Sequence, residues 1–450
     1  MSQKMTKEEL LAKAKKPSED AMKLHACYRG KLQVMPKCHI RNLDDFSIYY
    51  SPGVAAPCRA IEADETRMEE LTNRGNTIAV ISDCTRVLGL GDIGPKAGYP
   101  VMEGKALIFK YLGGVDAVPI VLATKDPDEI VQIIRLMEPS FAGINLEDFS
   151  YPKCFGILER LRSEMNIPVF HDDVQGTGTV ELAGLINALK IVGKKIEDSR
   201  IVFNGIGAAN TGVSRLILEY GANPENIIVV DSRGILHRGR KDLEEKKDEY
   251  AYKWKMCQIT NVEQRTGDLG EALKGADVLI SCSKPGPGIV LPEHVRGMAK
   301  DAIVFPSANP IPEIWPWEAK EAGARIVGTG RSDFPNQVNN SMGFPAIFRG
   351  VLDVMAKTIT DEMCIAAAEA LARYAEKRGI NEDDIIAKMD EPDAFIDEAV
   401  AVGMKAQEQG VARLTVSEEE LRRKAEEMIC SAQDQARALT ESGCIEQAVT

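Results

Sequence analysis

Two pairs of adjacent carboxylates have the residue types and the positions of a metal site. Glu147 and Asp148 directly follow the apolar run INL. Asp172 and Asp173 directly follow the apolar run PVF. The ends of two such strands can converge at one edge of a sheet, and all-oxygen ligands suit Mg²⁺ or Mn²⁺. Each pair alone could instead be a solvated turn, and His171 is interpreted equally as a packed residue or as a ligand.

A glycine-rich region over residues 84–109 is a second candidate for chemistry. Its glycines permit a close approach of the backbone to a ligand, and Arg86 and Lys105 are cations within it. A lysine in apolar surroundings can lose its proton and act as a base. The alternative for Lys105 taken alone is an ordinary surface lysine.

A nucleotide-binding loop is predicted in the middle of the chain. The sequence NGIGAAN follows a predicted strand, opens a predicted helix and matches G-x-G-x-x-(G/A) except at its last position. An acidic residue ends the next strand, where it can bond a ribose hydroxyl. The predicted cofactor-binding residues are Gly205, Gly207, Ala208, Ala209, Asn210 and Asp231. Asp231 favours NAD, whereas the arginines at 233, 238 and 240 leave NADP open.

The elements around these residues predict an α/β fold. Short apolar strands alternate with helices in the first and middle parts, which implies mostly parallel sheets, and the last third reads as helix. Thr360, Asp126 and Ser417 are predicted helix caps. We expect an N-terminal α/β catalytic domain (1–178), a Rossmann-like dinucleotide-binding domain (179–330) and a C-terminal segment (331–450) with a helical tail.

Composition narrows the class of protein. The chain has 450 residues, and its net charge of −13 makes nucleic acid an unsuitable partner. The ten cysteines form no C-x-x-C pair, so neither a disulfide scaffold nor a thiolate zinc site is expected. We find no run of eighteen apolar residues and no secretory signal in MSQKMTKEELLAKAKK, so we expect a cytoplasmic protein without a membrane span.

Several longer motifs together resemble the malic enzymes in their shorter prokaryotic form. The resemblance runs from about residue 32 to about residue 349. The motifs are YYSPGVAAPC, TRVLGLGDIG, PVMEGKALIFK, GINLEDF, FHDDVQGTGTV, GIGAAN, SANPIPEI and NQVNN. Their order along the chain makes the resemblance specific, while Asn210 departs from the glycine-loop pattern.

The resemblance implies a role for each matched residue. Tyr50 would be the general acid, Lys105 the catalytic base and Asp172 the acid that supports the lysine. The implied substrate-binding residues are Arg86, Asn309 and Asn340, and the implied metal ligands are Glu147, Asp148 and Asp173.

The resemblance also implies an activity, which is the metal-dependent oxidative decarboxylation of L-malate to pyruvate and CO₂ with reduction of NAD or NADP. A malolactic enzyme, which retains NAD and releases lactate, and a non-catalytic nucleotide-sensing module are the alternatives. We expect a homodimer or larger oligomer with both chain ends near the interface. We also expect nearby cations to lower the pKa of Lys105.

Overall fold

Two parallel sheets organise the chain. The computed structural model describes residues 7–446 and Ala448, so part of the N-terminal stretch examined for a secretory signal lies outside the described residues. The first sheet has the order β2-β1-β3-β4, and all its strand pairs are parallel. Its strands are β1 (Thr77–Ser82), β2 (Asp116–Val121), β3 (Gly143–Leu146) and β4 (Val169–His171).

The second sheet has six strands in the order β10-β9-β8-β5-β6-β7. Five of its strands are parallel, and the edge strand β7 runs antiparallel to β6. The strands are β5 (Ile201–Asn204), β6 (Ile227–Asp231), β7 (Gly234–Ile235), β8 (Val278–Ser281), β9 (Ile303–Pro306) and β10 (Ile326–Val327). The predicted parallel sheets are confirmed, and the buried strand residues explain why these runs are almost wholly apolar.

Helices surround both sheets and form the last third of the chain. They are α1 (Lys7–Tyr28), α2 (Asp45–Tyr49), α3 (Ala55–Ala63), α4 (Met68–Leu71), α5 (Pro95–Gly113), α6 (Pro127–Met137), α7 (Lys153–Glu164), α8 (Thr177–Val192), α9 (Ala208–Glu219), α10 (Lys241–Glu244), α11 (Ala251–Ile259), α12 (Leu269–Leu273), α13 (Pro292–Arg296), α14 (Pro316–Glu321), α15 (Phe344–Asp353), α16 (Asp361–Arg378), α17 (Pro392–Glu408) and α18 (Glu418–Glu441). No helix in the described part of the chain has the length and apolar content of a membrane span.

The predicted helix caps are confirmed. The Asp126 carboxylate accepts hydrogen bonds from two backbone N–H groups at the start of α6. Thr360 accepts from the N–H of Met363, and Ser417 accepts from the N–H of Glu420, each at 3.2 Å. These bonds satisfy N–H groups that have no partner within the helix.

The C-terminal helices are part of the fold's core. α15, α17 and α18 all pack against α5, the helix that carries Lys105. The ring centroid of Phe109 on α5 lies 4.5 Å from that of Phe344 and 5.2 Å from that of Phe348, both on α15. The helical tail therefore shares one apolar core with the first sheet.

An N-terminal arm, defined here as residues 29–54, exposes many large apolar side chains. Val34 is fully exposed, and Leu43 is 81% exposed. An exposed apolar surface of this extent is typical of a protein–protein contact. The exposed apolar side chains of the arm are those of Leu32, Val34, Met35, Ile40, Leu43, Phe46, Ile48, Tyr49, Tyr50 and Val54.

Three aromatic rings pack together, two from the segment between β9 and β10 and one from the segment after β10. Trp315 and Trp317 lie almost parallel, with centroids 4.8 Å apart and planes 9° apart. Phe334 packs against both rings at about 6 Å. Trp315 follows Asn309, one of the predicted substrate-binding residues, in the same segment of the chain.

The two sheets meet where α9 touches the loop after β4. A Cβ placed on Gly212 of α9 would lie 1.9 Å from the carbonyl oxygen of Val174, which is a backbone atom that cannot rotate away. Only glycine permits this approach. The helix that follows the glycine loop is therefore packed against the turn that carries Asp172 and Asp173.

We predict that Gly212→Ala destabilises the protein. The added methyl group would force the two segments apart, and overpacking of this kind costs about 1–3 kcal/mol. The thermal midpoint of unfolding should fall. The control is Gly156→Ala, in the exposed interior of α7, where a Cβ meets nothing within 4 Å. That control should leave the midpoint unchanged or raise it slightly, and an equal drop in both variants would contradict the prediction.

Candidate active site

The two predicted carboxylate pairs converge at the carboxyl edge of the first sheet. Leu146 of β3 pairs with His171 of β4, so the acidic residues that follow each strand lie side by side. Oxygen atoms of Glu147, Asp148 and Asp173 lie within 4.8 Å of one another. The sequence prediction that these three residues are neighbours is therefore met in the structure.

Lys105 reaches this cluster from α5. Its ammonium pairs with the Asp172 carboxylate and lies 3.1 Å from Oε1 of Glu147. The Phe344 ring covers it at 4.6 Å, and the side chain is only 12% exposed. Lys105 is therefore a buried group among acids, and the surface-lysine alternative is wrong.

The charges in this cluster do not balance. Four carboxylates (Glu147, Asp148, Asp172 and Asp173) surround the single ammonium of Lys105. Burial raises the pKa of Glu147, Asp148 and Asp172, and the repulsion between the acids adds to this effect. Such a cluster favours the binding of a further positive charge.

The expectation that nearby cations lower the pKa of Lys105 is wrong for the protein's own residues. Burial alone would lower this pKa, but the carboxylates of Asp172, Glu147 and Asp173 together raise it above its ordinary value. The guanidinium of Arg86 does not offset them, because it is exposed and donates to the carbonyl of Leu88 at 3.0 Å.

Asp148 has the features of a preorganised ligand. Its backbone is in the left-handed region, with φ of 57°, which is a strained conformation for a residue other than glycine. Its N–H donates to Oδ2 of Asp173 at 2.8 Å, and its own Oδ2 is buried without a hydrogen-bond partner. An unpaired buried carboxylate oxygen next to two other acids fits a divalent cation.

Asp172 is fixed from two sides. The side-chain amide of Asn340 donates to Oδ2 of Asp172, which also pairs with Lys105. Residues 172–176 form a π-helical turn, and a Cβ on Gly176 would lie 1.9 Å from Oδ1 of Asp172. Asn340, predicted as a substrate-binding residue, is thus held beside the Lys105–Asp172 pair.

His171 behaves as a packed residue. It is fully buried, its ring packs edge-on against Phe149, and burial lowers its pKa. Its Nδ1 lies 3.6 Å from Oδ2 of Asp173. These observations therefore favour the interpretation of His171 as a packed residue over its interpretation as a ligand.

Arg86 and Asn309 lie on two loops that touch each other. The N–H of Arg86 donates to the carbonyl of Asp148 at 3.0 Å, which joins the first loop to the acidic cluster. A Cβ on Gly89 would lie 2.6 Å from the carbonyl oxygen of Asn309. Two of the predicted substrate-binding residues are therefore on adjoining segments.

Tyr50 is the predicted site residue that the structure leaves apart. It lies on the N-terminal arm, and its side chain is 73% exposed. Within the described residues its hydroxyl has no hydrogen-bond partner, and its backbone bonds stay within the arm. No contact with Lys105 is formed inside one chain, so its role as the general acid stays a prediction.

The glycine loop has the geometry expected of a dinucleotide site. Gly205 has φ of 85° and donates its N–H to the carbonyl of Val230 at 2.8 Å, and α9 begins at Ala208. The buried amide of Asn210 donates to the carbonyls of Asn204 and Gly205, at 3.0 and 2.8 Å. The departure from the glycine pattern thus supplies hydrogen bonds that close the loop.

Asp231 ends β6 as predicted, but it is already paired. Arg240 donates to both of its carboxylate oxygens, at 3.0 and 3.1 Å, and also bonds Asp242. Arg233 is exposed and pairs with Asp242 at 3.1 Å. The arginine most deeply buried here is therefore committed to Asp231.

Sequence reasoning missed a buried polar cluster at the carboxyl edge of the second sheet. Glu313 is fully buried and accepts hydrogen bonds from Ser281 and Ser283. Glu181 on α8 accepts from the hydroxyl of Ser307, and its Oε2 is buried without a partner. Glu313 lies within the motif SANPIPEI, but only Asn309 of that motif was assigned a role, and no motif contains Glu181.

The sequence was compared with known families and proteins. Residues 29–162 match the family model "Malic enzyme, N-terminal domain", and residues 174–407 match "Malic enzyme, NAD binding domain". The bifunctional malic/malolactic enzyme of Bacillus subtilis is 47% identical over 91% of this chain and 98% of its own length. The NAD-dependent malic enzyme of Geobacillus stearothermophilus is 49% identical over 85% of this chain and 78% of its own length.

Solved structures give the same answer for the fold. The crystal structure of the malic enzyme of Entamoeba histolytica is 48% identical and superposes with a TM-score of 0.96. The match covers 100% of this chain and 93% of that one. The two-sheet architecture and the C-terminal helices are therefore those of a solved malic enzyme.

We predict that Glu181 makes stability depend on pH. Burial raises the pKa of Glu181 to about 8, so the folded protein holds this proton more tightly than the unfolded chain does. The stabilisation is fully present below the ordinary pKa and is lost as pH rises toward 8, by on the order of 4 kcal/mol.

Glu181→Gln should remove that loss. The variant should match the wild type near pH 5 and exceed its thermal midpoint at pH 8, as measured by calorimetry across this range. Glu159→Gln, on the exposed side of α7, is the control and should follow the wild type throughout. Parallel pH curves for the wild type and Glu181→Gln would contradict the prediction.

Proposed function

The chain belongs to the malic enzyme family, and on that premise we propose that it catalyses the oxidative decarboxylation of L-malate to pyruvate and CO₂ with reduction of NAD or NADP. The observation that carries this proposal is the convergence of three acids and one buried lysine beside the turn that packs against the helix of the glycine loop. That arrangement supports a reaction in which acid–base residues and a dinucleotide act together.

The substrate is a dianion, so it needs positive charge and amide donors at a site rich in acids. Arg86 is exposed at the rim and can turn from the Leu88 carbonyl toward a carboxylate. Asn340 lies beside Asp172, and Asn309 lies on the adjoining loop. These three residues would orient malate so that its C2 hydroxyl faces Lys105.

Lys105 is the base in this proposal. The neutral amine would take the proton of the C2 hydroxyl while Asp172 and Asn340 hold its position. After loss of CO₂, the enolate of pyruvate needs one proton at C3 to become pyruvate, and a phenol such as Tyr50 can supply it. The burial of Lys105 under Phe344 keeps water from competing for the proton.

Glu147, Asp148 and Asp173 would hold a divalent cation. Their oxygen donors, their excess negative charge and the unpaired Oδ2 of Asp148 fit Mg²⁺ or Mn²⁺. When bound, the ion supplies positive charge that stabilises the developing oxyanion and offsets the carboxylates that raise the pKa of Lys105. The dinucleotide supplies the hydride acceptor.

NAD is the cofactor that the nucleotide loop favours. Asp231 ends β6 at the position that bonds a ribose hydroxyl, and a 2′-phosphate there would meet a carboxylate. The buried Arg240 is committed to Asp231 and Asp242. Arg233 is the exposed cation nearby that could accept NADP instead.

A dimer would complete the site. Tyr50 is exposed on the apolar arm and has no bond to the acidic cluster of its own chain. Burying the arm against a second copy would cover its apolar side chains and could bring Tyr50 to the partner's Lys105. In a two-fold dimer each arm would then serve the other subunit.

The malolactic reaction is the second candidate. A relative that is 47% identical is named a bifunctional malic/malolactic enzyme. The residues that would oxidise malate are the same in both reactions, because malolactic turnover differs in reducing pyruvate before release. The products therefore separate the two activities.

The first test of the proposed function is a rate measurement with L-malate, Mn²⁺ and NAD or NADP. We expect NADH and pyruvate to form together, and we expect exhaustive EDTA treatment to abolish the rate until Mn²⁺ is restored. Asp173→Ala should weaken Mn²⁺ binding in calorimetry while nucleotide binding persists. Full activity after chelation would contradict the metal assignment. Formation of lactate without net NADH would indicate the malolactic reaction.

The second test mixes two defective variants. Lys105→Ala and Tyr50→Phe should each have little activity with malate. If Tyr50 acts in the partner's site, unfolding and refolding the two together should restore about a quarter of the wild-type rate, because half the dimers are mixed and half of their sites are intact. Refolding each variant alone is the control. A mixture as inactive as its components would show that both residues act within one chain or that Tyr50 is not the acid.

A further inference from the structure

A cavity of about 510 Å³ lies at the amino-terminal edge of the first sheet. One wall is the segment Asn73–Asn76, which leads into β1, and another is Ala142, which precedes β3. The end of α15 and one face of α18 close the remaining sides. The volume is within the range of small-molecule sites.

The carboxylates around this cavity are already neutralised by cations. Glu69 pairs with Arg74, and Asp353 pairs with Arg349 at 2.7 Å. Glu427 pairs with Arg423 at 3.0 Å, and Glu70 pairs with Arg67 at 3.5 Å. Each acid in the walls therefore has a cationic partner, although Arg423 is shared between Glu427 and Glu420.

Three cations in the same walls form no direct ion pair within the described chain, although the carboxylate of Glu420, one turn earlier on α18, attracts Lys424 electrostatically. Lys424 is half-buried on α18 and forms no ion pair there. Arg413 donates only to the backbone carbonyls of Met355 and Asn166. Lys37 is exposed and donates to the amide oxygen of Asn73 at 3.4 Å.

Like charges also crowd one another at this place. Burial lowers the pKa of Arg74, and the nearby guanidinium of Arg413 lowers it further, against the opposing effect of Glu138. Cations that lie close together repel one another, and a bound anion would offset this repulsion. The remaining walls include Ile167, Leu352 and Met428, which are apolar.

We propose that this cavity binds a small anion carrying two or three negative charges, a phosphate ester or a polycarboxylate, between Lys424, Arg413 and Lys37. The difference in pairing carries the proposal, since each acid of the walls forms a direct ion pair and these three cations form none. Lysine and arginine are the residues that bind phosphate and carboxylate groups most strongly.

The cavity is separate from the proposed catalytic site. β1 begins beside the cavity at Thr77 and ends at Ser82, close to the acidic cluster, so the two sites lie about 17 Å apart along the strand. An anion in the cavity would not compete with malate. It would instead join α18 and α15 to the segment before β1.

The test is calorimetric titration of the whole protein, without metal, with pyrophosphate and separately with propane-1,2,3-tricarboxylate. We expect at least one of the two to bind, and the stronger one identifies the group that the cavity prefers. Lys424→Gln should weaken that binding about tenfold, and Lys424→Glu should abolish it. Lys424 forms no hydrogen bond within the described residues, so Lys424→Gln should keep the wild-type thermal midpoint within a degree or two, and this variant decides the test.

Two controls make the result specific. Arg437→Gln removes a cation from the same helix outside the cavity and should leave the affinity unchanged. Arg86→Gln tests whether the anion enters the catalytic site instead. Affinity lowered by Arg86→Gln but not by Lys424→Gln would overturn the proposal, and so would the absence of binding by either probe. Both results are independent of the malate assay.

Discussion

The excess of negative charge around Lys105 is the constraint on which the rest of the structure depends. One ammonium faces four carboxylates in a region that is largely buried. Without a positive partner, such buried acids would destabilise the fold. The surrounding elements therefore have to fix the positions of the acids and of their partners. β3 and β4 deliver the acids in register, α5 delivers the lysine, and the segment before α15 delivers Asn340.

The same constraint explains why the C-terminal helices cannot be a detachable tail. Phe344 lies over Lys105, and α15, which carries Phe344, packs on α5. Lys105 is therefore buried by residues that are distant from it in the sequence. The approach of Gly212 to Val174 ties the nucleotide helix to the acidic turn in the same way. Chemistry at the first sheet and nucleotide binding at the second are thus joined by packing rather than by a flexible linker.

Local signals in the sequence were sufficient to predict the strands that carry the acids, the starts of several helices and the family. The apolar runs before Glu147 and Asp172 predicted strands that end in acids, and the parallel order of strands made their convergence expected. Asp126, Thr360 and Ser417 predicted the starts of helices because a cap depends only on neighbours in the chain. The motif order was enough to predict the family, which the comparisons confirm.

Properties set by distant contacts were not predictable. The pKa of Lys105 depends on carboxylates from two other segments, and the sequence does not state how many reach it. Asn210 looked like a defect in the glycine loop, although its amide closes that loop. The burial of Glu181 and the exposure of Tyr50 also depend on tertiary packing, which no local pattern encodes.

The stacked indoles have an optical consequence. Two of the three tryptophans in the chain, Trp315 and Trp317, lie face to face in the segment between β9 and β10. Their transitions must couple, so near-ultraviolet circular dichroism is sensitive to movements of that segment, which can be followed without an attached dye.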